Sequence, residues 1–159
     1  IMKDELMEIF VDYKNDFVEI LKPADKLIKD YLSELNIDLP KGERTEINLE
    51  ATEWMKEVAA SLKRGYLITI DYGYESSELY HPCRREGTLV CYHKHKINNY
   101  PYANIGEQDI TSHVNFSALR YWALKNNMKC CGFTDQRRFL LALRFNNYLE
   151  KRCLSRIRI

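Results

Sequence analysis

The chain has 159 residues, of which 45% are apolar and 30% are charged, and its formal net charge is +1. That length is enough for one domain with a hydrophobic core. The near-neutral charge gives no electrostatic case for binding nucleic acid or an acidic membrane surface. No run of about 18 apolar residues occurs, so the sequence predicts no membrane-spanning helix.

The cysteine pattern indicates a reducing compartment. The chain has five cysteines, an odd number, and Cys130 and Cys131 are adjacent. Neither feature fits the disulfide framework of a small secreted protein. The segment Ile1–Glu5 does not resemble a signal peptide and is too acidic for a transit peptide. Because the chain begins with Ile rather than Met, we also expect it to be a fragment of a longer protein.

The first part of the chain predicts a hairpin followed by a helix. Residues 6–22 contain two runs of strand-forming residues on either side of the turn residues Lys14, Asn15 and Asp16. Residues 24–35 place apolar side chains at helical spacing, so we expect an amphipathic helix there. A loop containing Pro and Gly follows over residues 36–45.

A second helix is predicted over residues 49–64, with Asn48 as its N-cap and Gly65 as its stop. Its core-facing stripe is expected to consist of Trp54, Val58, Ala59 and Leu62. The charges along this helix suit its macrodipole, because acidic residues lie in the early turns and basic residues lie at the end.

A buried central strand is predicted directly after this helix. Leu67, Ile68, Thr69 and Ile70 are apolar or β-branched residues that suit a strand covered on both faces. Ligands of open α/β sheets bind beyond the carboxyl ends of the strands. We therefore expect the next three residues to line a cleft: Asp71, Tyr72 and Gly73.

The remaining elements are less regular. Residues 74–112 predict a long irregular stretch with one short strand at Thr88–Tyr92, and such stretches are usually functional or disordered. The aromatic content of this stretch argues against disorder. A helix is predicted over 116–127, capped by Asn115 or Thr111. A strand at Lys129–Phe133, a helix at 136–150 capped by Asp135 and a frayed tail at 151–159 complete the prediction.

Alternating helices and strands indicate an α/β fold. Only one strongly buried strand is visible, which is too few to close a parallel sheet on both sides. We therefore expect a single incomplete domain spanning residues 1–159.

Two segments carry residues of chemical interest. Cys83, Cys91, His93 and His95 are metal-ligand types, but their spacing fits no standard zinc pattern, so no metal site is predicted. The block 106–116 is rich in polar residues and runs into a helix. It can act as an elaborate N-cap or as a cleft-lining segment, and residue types alone favour neither.

Four blocks carry a resemblance to a known family. They are D-Y-G at 71–73, G-T-L-V-C-Y at 87–92, G-E-Q-D-I-T-S-H-V-N-F at 106–116 and T-D-Q-R-R-F-L-L-A-L at 134–143. In their order and spacing they resemble the MidA-like family of S-adenosylmethionine-dependent methyltransferases. The resemblance also covers 44–73, and it thins before residue 40 and after residue 146.

The resemblance implies a Rossmann-like methyltransferase sheet, of which this chain is the C-terminal half, with an added β-hairpin and flanking helices. It implies S-adenosyl-L-methionine as the cofactor of the full-length protein. The glycine-rich turn of the cofactor site has no counterpart in residues 1–64. We therefore expect the isolated chain to bind no cofactor and to be inactive.

The resemblance also implies a protein arginine as the methyl acceptor, in a subunit of a respiratory complex, since mitochondrial members act in the assembly of complex I. A bacterial member is expected in the cytoplasm, and a eukaryotic counterpart in the mitochondrial matrix. Carboxylates suit a guanidinium substrate, and the candidates for the catalytic role are Asp109, Glu107 and Glu46. The candidates for lining the cleft are Asp71, Tyr72, Gly73, Gln108, Thr111, His113 and Gln136.

A second reading is a non-catalytic interaction or assembly module. A half sheet leaves an open edge or apolar face, which a partner protein or a second copy of the chain would cover. The sequence alone leaves both readings open.

Overall fold

The computed structural model describes residues 5–149, which form α-helices and short strands in three separate sheets. The strands are β1 (Met7–Tyr13), β2 (Phe17–Pro23), β3 (Gly73–Tyr74), β4 (Val90–His93), β5 (Lys96–Asn98), β6 (Asp109–Thr111) and β7 (Val114–Asn115). The helices are α1 (Lys26–Glu34), α2 (Leu49–Ser61), α3 (Ser76–Leu79), α4 (Phe116–Lys125) and α5 (Gln136–Ala142). A 3₁₀ turn covers Pro82–Arg84. The architecture is mixed α/β, as predicted, with small sheets.

The N-terminal hairpin is confirmed. Strands β1 and β2 pair antiparallel from Met7 opposite Pro23 to Tyr13 opposite Phe17. The turn is closed by the Lys14 amide, which donates to the Asp16 carbonyl at 3.2 Å. The predicted helix follows as α1, whose N-cap Asp25 accepts from the Leu27 amide at 2.8 Å.

The hydrophobic core lies between α1, α2 and α4. Its buried members are Tyr31, Leu32, Met55, Ala118, Leu119 and Trp122. Tyr31 and Trp122 stack with ring centroids 5.3 Å apart. Asn48 caps α2 as predicted, accepting from the Ala51 amide, and of the two candidate caps of α4 it is Asn115 that accepts from the Ala118 amide.

The predicted core stripe of α2 was wrong at Trp54. The buried residues of α2 are Thr52 and Met55, whereas Trp54 is 41% exposed. The face of α2 that meets α4 is therefore turned by about one residue from the face that the bulkiest side chains indicate. The helix also ends at Ser61, three residues before the predicted end.

The stretch 74–112 is more ordered than the sequence predicted. It contains α3, the 3₁₀ turn and an antiparallel sheet in the order β5-β4-β6, with Cys91 fully buried at its centre. The predicted strand at Thr88–Tyr92 is β4, shifted by one or two residues. Residues Lys94 and His95 form the β4–β5 turn with φ values of 48° and 63°, the left-handed pair that two-residue hairpins require.

This turn also explains why the cysteine–histidine cluster does not assemble. His95 lies in the turn and not on the strand that carries Cys91 and His93. Among residues 5–149, no group of three or more potential ligands is placed to hold a metal ion.

The predicted central strand was wrong over Leu67–Ile70. These residues have no strand partner in the described part of the chain, and Ile68 and Ile70 are 69% and 72% exposed. The parallel ladder begins only at β3, where Gly73 pairs with Val114 and Tyr74 with Asn115. A strand exists only when a neighbour takes its backbone hydrogen bonds, and the described residues supply none for 67–70.

The last predicted elements differ from the expectation. Lys129–Phe133 forms no strand, again because no neighbouring strand lies beside it among the described residues. Asp135 caps α5 as predicted, accepting from the Arg138 amide at 2.8 Å. The helix ends at Ala142, a turn follows in which Arg144 has φ 57°, and residues 145–149 are helical again, so the predicted helix over 136–150 is interrupted. The predicted frayed tail 151–159 lies outside the described residues. None of the helices in residues 5–149 has the length and apolar character needed to cross a membrane.

Candidate functional site

A half-buried polar cluster lies where the loop before α2, the loop before β4 and the start of β7 meet. Glu46 is its centre, because its Oε2 accepts from the backbone amide of Thr88 at 2.8 Å and from the Thr88 hydroxyl at 3.0 Å. Thr88 Oγ1 in turn accepts from the backbone amide of His113 at 3.0 Å. The three residues form a continuous hydrogen-bonded chain, called here the Glu46–Thr88–His113 clamp.

Gly87 is required for this clamp. Its φ of +78° lies in the left-handed region, and a Cβ added there would stand 2.2 Å from Glu46 Oε1. Gly73 is constrained by a close contact alone, since an added Cβ would stand 2.1 Å from the carbonyl oxygen of Val114. Both glycines therefore allow a close approach that side-chain-bearing residues would block.

His113 joins the clamp to the tip of the predicted strand. Its ring meets the ring of Tyr74 edge-on at 5.1 Å, and the adjacent Val114 amide donates to the Tyr72 carbonyl at 2.9 Å. The Nδ1 atom of His113 is buried and has no hydrogen-bond partner among the described residues. A buried polar atom left without a partner costs about 1–3 kcal/mol, which makes it a candidate for contact with a ligand.

Arg84 lies against the same aromatic ring. Its guanidinium carbon is 4.0 Å from the centroid of Tyr74, within the range of a cation–π contact. Its Nε also donates to the Glu78 carbonyl at 3.0 Å. Arg84 thus ties the 3₁₀ turn to β3 beside His113.

A second polar network, centred on Asn115, adjoins the clamp. Asn115 Nδ2 donates to the hydroxyls of Tyr31 and Tyr80 at 3.0 and 3.3 Å. Its Oδ1 accepts from the Ala118 amide and from the Ser76 hydroxyl at 3.0 and 3.1 Å. One amide side chain therefore links α1, α3 and α4.

The two tyrosines of this network stay protonated. Burial raises the pKa of Tyr31 far above its ordinary range, and the neighbouring Tyr80 adds to the effect. Burial also raises the pKa of Tyr80, against hydrogen bonds from Tyr31 and Asn115 that lower it. These phenols serve as neutral hydrogen-bonding groups and not as bases.

The carboxylates of the block 106–116 lie on and before the edge strand β6. Asp109 pairs with Tyr92 in the β4–β6 ladder, its side chain is exposed, and its carboxylate has no partner within residues 5–149. Glu107 is also exposed, and its backbone carbonyl lies 2.9 Å from His93 Nδ1. Neither residue caps α4, since Asn115 does so, and both carboxylates are available to a cation.

Two other predicted residues of this block have structural contacts. Gln108 accepts from Asn98 Nδ2 at 3.1 Å and donates to the carbonyls of Tyr100 and Pro101 at 2.9 and 3.2 Å, which holds the loop after β5. Thr111 Oγ1 donates to the Val90 carbonyl at 3.2 Å, across the β4–β6 ladder. Both residues shape the segment that presents Asp109.

The structure brings some predicted site residues together and separates others. Gly73, His113 and Glu46 share the cluster around the clamp. Asp71 and Tyr72 are exposed, with Tyr72 at 84%. Gln136 is exposed at the start of α5, and this end of the chain meets α4 through the Phe116 and Phe133 rings, 5.4 Å apart.

Sequence reasoning missed Thr88, Tyr31 and Tyr80 as members of the cluster. Thr88 lies in the block 87–92, directly after the glycine that permits the Glu46 contact, and this was the available signal. Tyr31 and Tyr80 gave no such signal, because the sequence does not show which group a tyrosine hydroxyl bonds to.

Two grooves lie away from the candidate residues. One, of about 450 Å³, runs between the end of α2 and the residues after α4, and the other, of about 470 Å³, runs between α1 and α2. Neither is lined by a predicted site residue.

The described residues also lack a cradle for S-adenosylmethionine. Gly42, with φ +81°, lies in a turn that no strand directly precedes, and helix α2 starts only at Leu49. Gly106, with φ +75°, leads into β6 and not into a helix. The strand–glycine turn–helix arrangement that binds such cofactors is not formed by residues 5–149.

Comparison with known proteins places the chain in a family. A family model described as "Putative S-adenosyl-L-methionine-dependent methyltransferase" matches residues 1–134. No curated protein matches the chain.

Two crystal structures of proteins from Burkholderia thailandensis are similar to the chain. One is of an uncharacterised protein, 33% identical, with a TM-score of 0.83 over 91% of this chain and 39% of that chain. The other is of a protein described as a "likely methyl transferase" and bound to S-adenosyl-homocysteine. It is 34% identical, with a TM-score of 0.83 over 93% of this chain and 38% of that chain.

The chain thus spans well under half the length of these two relatives. The family match covers most of the chain, including both carboxylates of the β6 segment, the clamp and the strand tip. The chain belongs to the family of S-adenosyl-L-methionine-dependent methyltransferases that this model describes.

Proposed function

We propose that the chain is the acceptor-side part of a MidA-like methyltransferase, which in full length methylates an arginine of a protein. The observation that carries the proposal is the 34% identity, over 93% of this chain, to a protein bound to S-adenosyl-homocysteine, the product of methyl transfer from S-adenosylmethionine. Because that match covers only 38% of the relative, residues 1–159 are in this proposal a single incomplete domain of a Rossmann-like sheet.

The role of the chain is to hold the acceptor. An arginine guanidinium donates hydrogen bonds in a planar fork, and paired carboxylates are its best acceptors. The free, exposed carboxylates of Asp109 and Glu107 match this requirement. Their hydrogen bonds orient the fork and stabilise the positive charge that remains on the product.

In this proposal Glu46 contributes to the same site. Its Oε2 already accepts two hydrogen bonds from Thr88, so its negative charge is fixed next to the loop that carries His113. His113, with its free Nδ1 atom, completes the acceptor side as a hydrogen-bonding group. Asp71, Tyr72 and Gly73 form the cleft wall at the strand tip, and Gln136 lies at the α5 end.

The proposed partner is a protein that contains an accessible arginine, with a subunit of a respiratory complex as the leading candidate. The proposed compartment is the bacterial cytoplasm or the mitochondrial matrix. The cofactor is S-adenosyl-L-methionine, held by the part of the full-length protein that this chain does not contain.

The test uses a hybrid protein, in which this chain replaces the matched region of the S-adenosyl-homocysteine-bound relative. The hybrid is incubated with isotope-labelled S-adenosylmethionine and solubilised respiratory complex I, and also with a peptide library containing one arginine per peptide. Mass spectrometry is expected to find methylarginine. Methylation of lysine or of a small molecule instead would refute the arginine acceptor, and a hybrid that binds no cofactor would refute the methyltransferase assignment.

Variants of the hybrid test the residue roles. Asp109→Asn is expected to lower kcat/KM by about 100-fold, the usual loss for one electrostatic partner of a transition state. Asp38→Asn is the matched control, because Asp38 is an exposed aspartate in the loop before α2. Equal effects of the two substitutions would remove Asp109 from the site.

A second function is favoured by one observation. Four large side chains of residues 66–72 are more than two thirds exposed, which is typical of an interaction surface. A non-catalytic assembly module remains the alternative, and the hybrid separates the two readings because only the enzyme transfers methyl groups.

A further inference from the structure

A thiol and an imidazole form a close pair in the turn between α3 and β4. Cys83 Sγ lies 3.0 Å from His81 Nδ1, and both residues are exposed. This distance is within the range over which a base takes a proton from a reacting group. A nucleophile in contact with a base is the arrangement that proteins use for covalent attack. The two residues are called here the Cys83–His81 pair.

The backbone determines which imidazole atom faces the thiol. The Cys83 amide donates to His81 Nδ1 at 3.3 Å. An imidazole nitrogen that accepts a hydrogen bond carries no proton, so the neutral ring is protonated on Nε2. The thiol hydrogen is therefore directed at the Nδ1 lone pair. Pro82 lies between the two residues, and its ring restricts the backbone that holds them together.

The other cysteines within residues 5–149 have no such base beside them. Cys91 is fully buried in the sheet. Cys130 and Cys131 are exposed, and their thiols donate to the backbone carbonyls of Gly132 and Lys129 at 3.8 and 3.6 Å. A carbonyl oxygen accepts a hydrogen bond from a thiol but does not take up its proton. Cys83 thus combines the exposure and the neighbouring base that a reactive thiol requires.

The next residue connects the pair to the candidate site. The Arg84 guanidinium carbon lies 4.0 Å from the Tyr74 ring centroid, and that ring meets the His113 ring edge-on at 5.1 Å. Arg84 Nη2 also lies 3.4 Å from Glu78 Oε1. An acidic group attached to Cys83 would compete for this guanidinium, since carboxylates are its preferred acceptors. A modification of Cys83 would therefore act on Tyr74 and His113.

We propose that Cys83 is a modification site that reacts with small-molecule disulfides of the glutathione class, and that the adduct weakens the acceptor side through Arg84. The Cys83 sulfur attacks one sulfur of the disulfide while its proton passes to His81 Nδ1. A new S–S bond forms, the old one breaks, and the released thiolate takes the proton from His81 and leaves as a thiol. The Cys83 sulfur is oxidised and the released sulfur is reduced, so a free thiol reverses the reaction. Only the effect on the acceptor side rests on the proposed function.

The first test measures the reaction of the chain with glutathione disulfide. Peptide mapping by mass spectrometry follows the adduct at each cysteine over time. The adduct is expected to form at Cys83 at least about tenfold faster than at Cys130 or Cys131, because a positioned base accelerates proton transfer. Equal rates at these three cysteines would overturn the proposal, and this comparison requires no variant.

A substitution of the base tests its role. His81→Gln keeps a side-chain acceptor for the Cys83 amide but removes the group that takes the proton. It is expected to slow the reaction at Cys83 at least about tenfold and to leave Cys130 unchanged. His95→Gln, at an exposed histidine in the β4–β5 turn, is the matched control. An unchanged Cys83 rate in folded His81→Gln, in which the buried Cys91 stays unreacted, would remove the base from the proposal.

The second test measures the effect on the acceptor side in the hybrid protein. Treatment with glutathione disulfide is expected to raise the KM for the acceptor by about fivefold, the lower end of coupling between sites, and dithiothreitol should restore it. The Cys83→Ser hybrid should keep its KM under the same treatment. The same rise in KM in the Cys83→Ser hybrid, or no rise in the hybrid that retains Cys83, would refute the effect through Arg84.

The two tests separate this inference from the proposed function. A fast Cys83 in a hybrid that methylates no arginine would refute the proposed acceptor alone. A slow Cys83 in an active hybrid would refute the modification site alone.

Discussion

Replacement of Gly87 by alanine tests the Glu46–Thr88–His113 clamp. Gly87 has φ +78°, and an added Cβ would lie 2.2 Å from Glu46 Oε1. Because Glu46 Oε1 is the end of a flexible side chain, the carboxylate can move away at little steric cost. The movement, however, breaks its hydrogen bonds to the Thr88 amide and hydroxyl. The loss of these charge-assisted bonds is expected to cost about 2 kcal/mol.

Gly42 offers a matched control for this experiment. Its φ is +81°, and an added Cβ would meet nothing within 4 Å. Gly42→Ala therefore carries the same backbone strain, about 1 kcal/mol, without the clash. The difference between the two variants isolates the clamp.

Urea unfolding, followed by tryptophan fluorescence, measures both variants. The extra 2 kcal/mol of Gly87→Ala corresponds to a midpoint lower by about 1 M urea than that of Gly42→Ala. In a Glu46→Ala background, the two glycine variants should cost the same, because the clamp is already absent. Equal costs in the wild-type background, or an unchanged excess in the Glu46→Ala background, would refute this account.

The other predictions concern the Asn115 network, the hairpin and the cofactor. In the same assay, Asn115→Ala is expected to lower the free energy of unfolding by about 2–3 kcal/mol and Asn48→Ala by about 1 kcal/mol. Asn48 is only a cap, whereas Asn115 also donates to the hydroxyls of the buried Tyr31 and the half-buried Tyr80; equal losses would contradict this. The Arg44 hydrogen bond lowers the pKa of Glu19, so its stabilisation is present above the ordinary carboxyl pKa and is lost as the pH falls through the lower folded-state value. Glu19→Gln should therefore destabilise the chain by about 0.5–1 kcal/mol near neutral pH and by nothing in acid. The control Glu86→Gln, at an exposed site, should have no effect on stability at either pH. A loss of stability in Glu19→Gln that persists in acid would contradict the ion pair. In calorimetry, S-adenosyl-homocysteine is expected to bind the separate chain with a Kd weaker than about 1 mM, and tighter saturable binding would show that residues of this chain form a cofactor site.

The local elements of the fold were predictable from the sequence. The hairpin, α1 and the starts of α2, α4 and α5 follow from turn residues, caps and helical spacing, which act over a few residues. Asn48, Asn115 and Asp135 all cap the helices that the sequence assigned to them. These signals do not depend on the rest of the protein.

The central strand was not predictable in the same way. Leu67–Ile70 has the composition of a buried strand, but composition cannot report whether a neighbour is present to pair with it. The same applies to Lys129–Phe133. Both segments have the composition of a strand, but no described residue pairs with them, so neither forms one.

The assignment of the site residues stays a prediction. The polar block 106–116 and the glycine at 73 were found from residue types and resemblance, and the structure gives Gly73 a close contact and Asp109 an exposed edge position. The clamp was not found, because it joins residues 46, 88 and 113, which are far apart in the sequence. Hydrogen bonds between distant loops leave no periodic pattern to read.

The exposed apolar side chains of residues 66–72 have a consequence for handling the chain on its own. A run of β-prone residues with unpaired backbone is the usual starting point of intermolecular sheet formation and precipitation. Lys63 and Arg64 before the run and Asp71 at its end are charged residues, and such flanking charges act as gatekeepers against aggregation. Neutralising them should lower the soluble yield of the chain more than neutralising charges on α1.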